Sequence, residues 1–464
     1  MHVLRIWQQQ CADAAVAKYQ SGSPHFLCLA SPGAGKTVMA AEVARRMMEL
    51  GMVDLILCFA PSSAVVSSIE STFSRVLKSN FSGGLGAVGA AYTYHSLIHF
   101  DKSFWRSLKR HRLLVILDEI HHCSGSYAEN ANIWGEEIRS KIQHYANFTL
   151  ALSGTPWRTD KVPIVLTNYT VPDGEVSCDY IYGLKDAIID NVCRKPRVVL
   201  INSNHLVFSS ENKVKTFGSI SDFLSENLVS YRSIVWHPDA MKYVIKAGCK
   251  KLTQIRKINS DAGGLIVASS VVHAYQLLNI VEKDFCQSAT IVTYHDKDAL
   301  SKIAHFREGA TEWIISVGMI SEGTDIPRLQ VCCHLSTIKT ELYFRQVLGR
   351  ILRVNQKENQ DAWLFTLATD ELTLYSERLV SDVPKDYQVV HEIPAEKTFS
   401  IDHTSSTSEG GNQEKEMQIP KHLELEMNFF EGESSSSLTL NKLYQLRIGP
   451  MYQRVIDAFI FPHS

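Results

Sequence analysis

The chain has no long hydrophobic run. None of its apolar stretches reaches the roughly 18 residues that a membrane helix needs, so no membrane span is expected. The N-terminus, MHVLRIWQQQCADAA, lacks the basic, apolar and small-residue order of a signal peptide. An excess of one charge is missing too. Lys+Arg number 47 and Asp+Glu 49, a net of −2, which excludes a uniformly basic nucleic-acid coat but permits a local basic groove. The 10 cysteines are scattered without a CxxC pair, and no His/Cys cluster has zinc spacing. Reduced cysteines in a cytoplasmic protein are therefore expected. Short-period repeats and RNA-recognition strings are also absent. With 45% hydrophobic and 21% charged residues, a mainly disordered or fibrous chain is excluded, and 464 residues suggest about two or three domains.

What is present is a rhythm. FLCLA (26–30), LILCFA (55–60), LLVIL (113–117) and FTLAL (148–152) are short aliphatic runs that end at polar clusters. Such runs fit strands buried on both faces of a parallel sheet. Helix patterns at Val38–Leu50 and Ala64–Leu77 lie between them. RVVLI (197–201), GLIVAS (264–269), TIVTYH (290–295), WIISVG (313–318), VCCHLS (331–336) and AWLFTLA (362–368) repeat the rhythm. The reading is α/β, with two parallel-sheet units whose ligands sit at strand carboxyl ends.

The expected organisation is a first domain at 1–160, a connection at 161–196, a second domain at 197–375 with a less regular stretch at 204–260, and a tail at 376–464. A helix over Ala240–Ile258 carries Lys242, Lys246, Lys250, Lys251, Arg256 and Lys257 without an acidic residue. It is either a solvated face or one that touches phosphate. HTSSTSEGGNQEKE (403–416) reads as a linker and ESSSS (433–437) as a polar break. Apolar spacing over Leu438–Phe461 predicts a short terminal helix.

ASPGAGKT (30–37) follows one strand and opens a helix. Gly33 and Gly35, with Ala34 between them, let the backbone curl and turn its N–H groups inward. The helix start adds its positive end, Lys36 would reach the β/γ-phosphates of ATP, and Thr37 would hold Mg²⁺. The usual opening glycine is replaced by Ala30. DEIHH (118–122) ends a later strand of the same series. Asp118 is placed to hold the metal shell and Glu119 to deprotonate the attacking water.

With SGTPWR (153–158), SEGTDIP (321–327) and QVLGRILR (346–353), these motifs stand in one order along the chain. The chain resembles superfamily 2 helicases of the DExD/H-box (DEAD/DEAH-box) type, bacterial and phage, related to type III restriction and XPB-like motors. The resemblance covers about residues 3–370. It implies two tandem RecA-like domains with an ATP cleft between them, and an ATP-dependent helicase or translocase that requires Mg²⁺.

The resemblance also assigns roles. Arg5 and Gln8 in LRIWQQ (4–9) match the adenine-recognising element. His121, Ser153 and Thr155 match positions that couple hydrolysis to strand movement. Gly323 and Asp325 face nucleotide and nucleic acid together. Gln346, Arg350 and Arg353 lie at spacings of four and three, near one helix face, with both arginines stabilising the transferring phosphoryl group. Pro61, Ser62, Thr93 and Ser269 match strand-binding positions, although Ser67 and Ser68 stand where the family often carries a glutamine.

DNA is expected over RNA as partner, in a phage-defence, restriction or DNA-repair setting. The alternative is a nucleotide-switched scaffold that recruits a nuclease or other effector through the C-terminal segment. Intact Glu119 and the paired arginines favour the enzyme.

Overall fold

The computed structural model describes residues 4–125, 132–171, 173–210, 213–293, 295–318, 325–355, 361–382 and 444–459. The first unit is built on β1 (His25–Ala30), β2 (Leu55–Ala60), β3 (Gly89–Thr93), β4 (Leu113–Asp118) and β5 (Phe148–Ser153). After a small ribbon of β6 (Asn168–Tyr169) and β7 (Val176–Ser177), β8 (Tyr180–Tyr182) returns to the same sheet. The order is β3-β2-β4-β5-β1-β8, parallel throughout. β4 is buried along its whole length, and β1, β2 and β5 at all but their first residue, as continuous aliphatic runs require when helices cover both faces. The stretch expected as a connection thus contains β8, a strand of the first sheet.

Register sets the geometry of the site. Leu29 of β1 pairs with Ser153 of β5, and Asp118 of β4 pairs with Leu152 of β5. The loop after β1, the acidic pair after β4 and the SGTPWR turn after β5 therefore share the carboxyl edge of three neighbouring strands, the usual ligand position in an open α/β sheet.

The second unit begins with β9 (Pro196–Ser203), β10 (Leu206–Ser210) and β11 (Lys213–Phe217), and continues with β12 (Gly263–Ala268), β13 (Ala289–Thr293), β14 (Trp313–Val317), β15 (Leu329–Leu335) and β16 (Ala362–Leu367). It closes with β17 (Tyr444–Ile448) and β18 (Met451–Ile456). The main sheet runs β13-β14-β12-β15-β16-β9-β18 and is parallel except for β18, which pairs antiparallel with β9. β11-β10-β17 form a small antiparallel sheet.

The expected terminal helix is therefore wrong for the described part of Leu438–Phe461, which forms a pair of strands. Gly449-Pro450 interrupts the stretch, and proline cannot continue a helix past that point. The Gly449 N–H donates to the His205 carbonyl at 2.7 Å, and β10 and β9 supply the partner edges. The linker at 403–416 and the break at 433–437 lie outside the described residues.

The basic helix occurs as Pro238–Arg256. Its cations are partly spent within the fold: Lys242 pairs with Asp284 at 2.9 Å, Lys251 lies 3.8 Å over the Trp363 ring, and Arg256 donates to the Ala262 carbonyl at 2.6 Å. Among the described residues no helix is long and apolar enough to cross a membrane.

Candidate nucleotide site between the two sheets

The loop after β1 turns through Gly33 at φ +81° and Gly35 at φ +94°, and helix α1 of the site begins at once with Lys36 (Lys36–Glu49). Both glycines are needed twice over. Their backbone is left-handed, and side chains crowd them. A Cβ on Gly35 would stand 2.7 Å from Gln8 Nε2, and one on Gly33 would stand 2.9 Å from Arg353 Cγ. Arg5 Nη1 donates to the Ala34 carbonyl at 2.6 Å and Gln8 Nε2 donates to the Gly35 carbonyl at 3.0 Å. Gln8 Oε1 accepts from the Arg5 backbone N–H. Arg5 and Gln8 therefore brace the loop from behind. Arg5 also reaches the cavity wall.

Lys36 is buried, with Nζ 3.2 Å from the Ala30 carbonyl and 3.3 Å from Glu119 Oε1. Asp118 lies beside them at the end of β4. Burial first, and the Glu119 charge second, push its carboxyl up to about 7, while Lys36 opposes them. Asp118 Oδ1 is buried without a hydrogen-bond partner among the described residues. Glu119 is held at φ +52°, a left-handed conformation that costs a non-glycine residue on the order of 1 kcal/mol and recurs at functional sites. Its Oε2 accepts from the Gly154 N–H at 3.3 Å and lies 3.5 Å from His121 Nδ1. The same His121 nitrogen is 2.9 Å from Ser153 Oγ, which accepts from the Thr155 N–H at 3.1 Å. Hydrogen bonds thus join His121, Ser153 and Thr155, with the Glu119 carboxylate beside His121.

The second sheet contributes through the helix Glu341–Ile351, which follows β15. Gly349 sits against the phosphate loop: a Cβ there would meet Pro32 Cβ at 2.7 Å. Arg353 forms a backbone bridge with Cys193 and an ion pair with Asp325. A cavity of about 340 Å³ lies between the sheets. From the first sheet its walls include Gly33, Gly35, Lys36, Thr37, Asp118, Glu119, His121 and Thr155, and from the second Asp325, Gln346, Arg350 and Arg353. Gly323 lies outside the described residues. Ala34 and Ser153 are buried behind the walls.

Pro61, Ser62 and Thr93 share the carboxyl ends of the neighbouring strands β2 and β3, where Ala60 pairs with Thr93, while Ser269 follows β12 of the second sheet. Pro61 lines the same cavity. Ser62 caps the helix Ser63–Leu77, accepting from the Val65 N–H, and Thr93 pairs with Ser96 Oγ at 3.0 Å. Ser269 Oγ accepts from Trp236 Nε1 at 2.8 Å and lies 2.9 Å from His273 Nδ1, so its hydroxyl is already doubly engaged.

Sequence reasoning missed Gly349, Gly154 and Trp157. A glycine inside a helix costs about 1 kcal/mol relative to alanine, and that cost was the available signal for a close approach at Gly349. Trp157, buried just after the SGTP turn, lies 5.3 Å from the Arg345 guanidinium across the two sheets; nothing local in the sequence marks that pair.

The described residues contain no group of three or more His, Cys, Asp or Glu side chains that could hold a metal. A cation here would depend on Thr37, Asp118 and ligand oxygens together. That suits Mg²⁺, which takes one or two carboxylates plus phosphate and water.

Known proteins resemble the chain in sequence and in fold. Residues 1–158 match the family described as Type III restriction enzyme, res subunit. An uncharacterised protein of Mycobacterium leprae is 29% identical over 437 residues, covering 88% of this chain and 67% of that protein. The DNA 3′-5′ translocase XPB2 of Sulfurisphaera tokodaii is 24% identical over 356 residues, covering 70% of this chain and 74% of that one. Among solved structures, an HsdR fragment of a type I restriction enzyme from Vibrio vulnificus is similar in fold, with TM-score 0.55, 18% identity and 81% of this chain covered. The chain spans 66% of that fragment. Phosphate loop, acidic strand end, SGTP turn and arginine helix surround one cavity; residues 1–158 match the restriction-enzyme res family, and the chain as a whole is similar to superfamily 2 helicases of the restriction-enzyme and XPB type.

Proposed function

We propose that the chain is an ATP-driven motor on nucleic acid, DNA rather than RNA, that hydrolyses ATP between its two sheets. The observation that carries the reading is the contact of Arg353 with Gly33, an arginine of one sheet against the phosphate loop of the other. The working units are residues 1–160 with β8, and residues 197–375 with β17 and β18.

The chemistry follows from the charges. Lys36 and Glu119 lie 3.3 Å apart and neutralise one another. A phosphate in the loop would compete for Lys36, and Glu119 would then be free to orient a water and accept its proton. The unpartnered Asp118 Oδ1 fits a cation, with Thr37 as the other protein ligand. A bound Mg²⁺ would neutralise charge on the phosphate oxygens. Arg350 and Arg353, which already line the same cavity as the loop, would meet those oxygens directly, and contacts made only with ATP bound are what a motor needs to shift its grip. Arg5 and Gln8 would couple base recognition to loop shape, because the same side chains brace the loop.

The leaning to DNA draws on the translocase XPB2 and on a type ISP restriction-modification enzyme, LlaBIII, whose structure is bound to DNA. The latter is similar in fold at TM-score 0.51 and 12% identity, with 84% of this chain and 29% of that chain covered. A restriction, phage-defence or DNA-repair setting, with a nuclease or other effector beside the motor, is the wider reading. Ten free cysteines, most of them buried, suit a reducing cytoplasm.

The test is steady-state ATP hydrolysis with single- and double-stranded DNA and RNA. DNA should stimulate turnover most, and Glu119→Gln should retain nucleotide yet lose turnover. Absence of stimulation by any nucleic acid would favour the nucleotide-switched scaffold.

A further inference from the structure

Arg194 lies between the two units, fully buried, and carries no catalytic assignment. Its guanidinium donates to the Leu329 carbonyl at 2.7 Å, the Ile351 carbonyl at 3.2 Å, the Pro327 carbonyl at 3.2 Å and Asn355 Oδ1 at 3.3 Å. Its backbone N–H donates to the Leu352 carbonyl at 2.7 Å. Burial pulls its pKa down to about 10, and none of these acceptors is a carboxylate.

The placement of those acceptors carries the argument. Pro327 and Leu329 flank the entry to β15, two to four residues beyond Asp325. Ile351 and Leu352 form the last turn of the arginine helix, directly before Arg353. A cation at a helix C-terminus is favoured by the exposed carbonyls and the helix dipole. One rigid fork therefore holds the two segments that carry the Asp325–Arg353 pair. The neighbouring Cys193 completes the connection. It bridges Arg353 through the backbone, and its Sγ lies 3.4 Å from the Pro32 carbonyl of the phosphate loop. Residues 193–194 thus touch the loop on one side and the arginine end on the other.

We infer that Arg194 is a positioning residue: it fixes Arg353 and Asp325 relative to the phosphate loop and acts on hydrolysis through Arg353. The inference rests on the reading of the cavity as the hydrolysis site. Lysine cannot replace it, because one ammonium cannot serve four acceptors spread over two segments as a planar fork does.

The experiment is a double-mutant cycle on the full chain. Arg194→Met, Arg194→Lys, Arg353→Ala and the Arg194→Met/Arg353→Ala pair are compared in DNA-stimulated ATP turnover, with a fluorescent ATP analogue reporting binding and thermal unfolding reporting the fold. Misplacing a reacting group by about 1 Å costs about 10²-fold in rate, so Arg194→Met should lose about that in kcat with analogue binding and KM within about threefold. The paired variant should turn over no more slowly than Arg353→Ala alone. Multiplying losses in the paired variant overturn the assignment, as does a parental kcat in Arg194→Met. Should Arg194→Met lack a cooperative unfolding transition, Arg194→Lys carries the comparison, and its parental kcat overturns the inference. Parental turnover by Arg353→Ala alone sinks the cleft reading itself, a separate failure.

Discussion

The two sheets reach the cavity by different means. The first presents chemistry directly at strand ends: β1 leads into the phosphate loop, β4 ends on Asp118, and β5 ends on Ser153. The second presents it through a helix and a loop, with Arg353 and Asp325 joined to one another and held by buried contacts. Charges at strand ends are fixed by the sheet ladder. Charges on a helix end move with the helix. On the proposed reading the first sheet binds nucleotide and the second senses it, an asymmetry that suits a closing motor.

The largest expected effect breaks the comparison at its centre. Arg353→Ala should lower kcat by about 10³–10⁵-fold while nucleotide binding changes little. Lys36→Ala should remove binding and turnover together, because it withdraws the buried cation from the loop. Equal losses of analogue binding in both variants would mean that the two sheets do not divide the work. Single-turnover hydrolysis with a fluorescent analogue separates these outcomes.

A subtler blow falls on the seam. Gly349→Ala should raise helix propensity by about 1 kcal/mol yet push the added methyl against Pro32. Turnover should fall about tenfold, and thermal stability should fall slightly with it, because overpacking costs about 1–3 kcal/mol against that gain. A parental rate would show that the sheets do not need this approach to act.

Acid should separate the sheets next. His273 and His334, both in the second unit, are buried and held down to about 3 and about 4, chiefly by burial. Unfolded, each titrates near 6.5. Between those values the unfolded chain binds more protons, so their share of stability is complete above about pH 6.5 and is lost as pH falls toward 4. The slope is at most about 1.4 kcal/mol per pH unit for each. Urea unfolding from pH 8 to 5 should show it, and His273→Gln/His334→Gln should flatten it. An unchanged slope in that variant would place the acid sensitivity elsewhere.

The smallest effect falls at the end of β12 in the main sheet of the second unit. Trp236→Phe removes one hydrogen bond to Ser269, about 1 kcal/mol, and should lower Tm by about 2–4 °C. A larger drop would mean that Trp236 supports more than the Ser269 hydroxyl.

The legibility of the sequence follows the same division. Lys36, Thr37, Asp118 and Glu119 could be read because each sits within a few residues of the strand that positions it, so a local pattern reports the geometry. Most strands could be read for a related reason: a strand buried on both faces must be an unbroken aliphatic run. β17 and β18 could not. Tyr444–Ile448 does alternate apolar and polar residues, the pattern of a strand, but five residues are too few to outweigh the helical spacing read over Leu438–Phe461. Arg194 was invisible too, because its acceptors are carbonyls, which every residue has, more than 130 residues away along the chain.

The sequence by itself determined the kind of machine: a phosphate loop, an acidic strand end and an arginine helix in a set order, each specified by local steric and charge requirements. Only the tertiary structure decided which groups meet. Gly349 against Pro32, Arg353 over Gly33 and Arg194 holding both segments behind it are contacts between distant parts of the chain. They depend on how two sheets pack, and a short-range pattern carries no record of that packing.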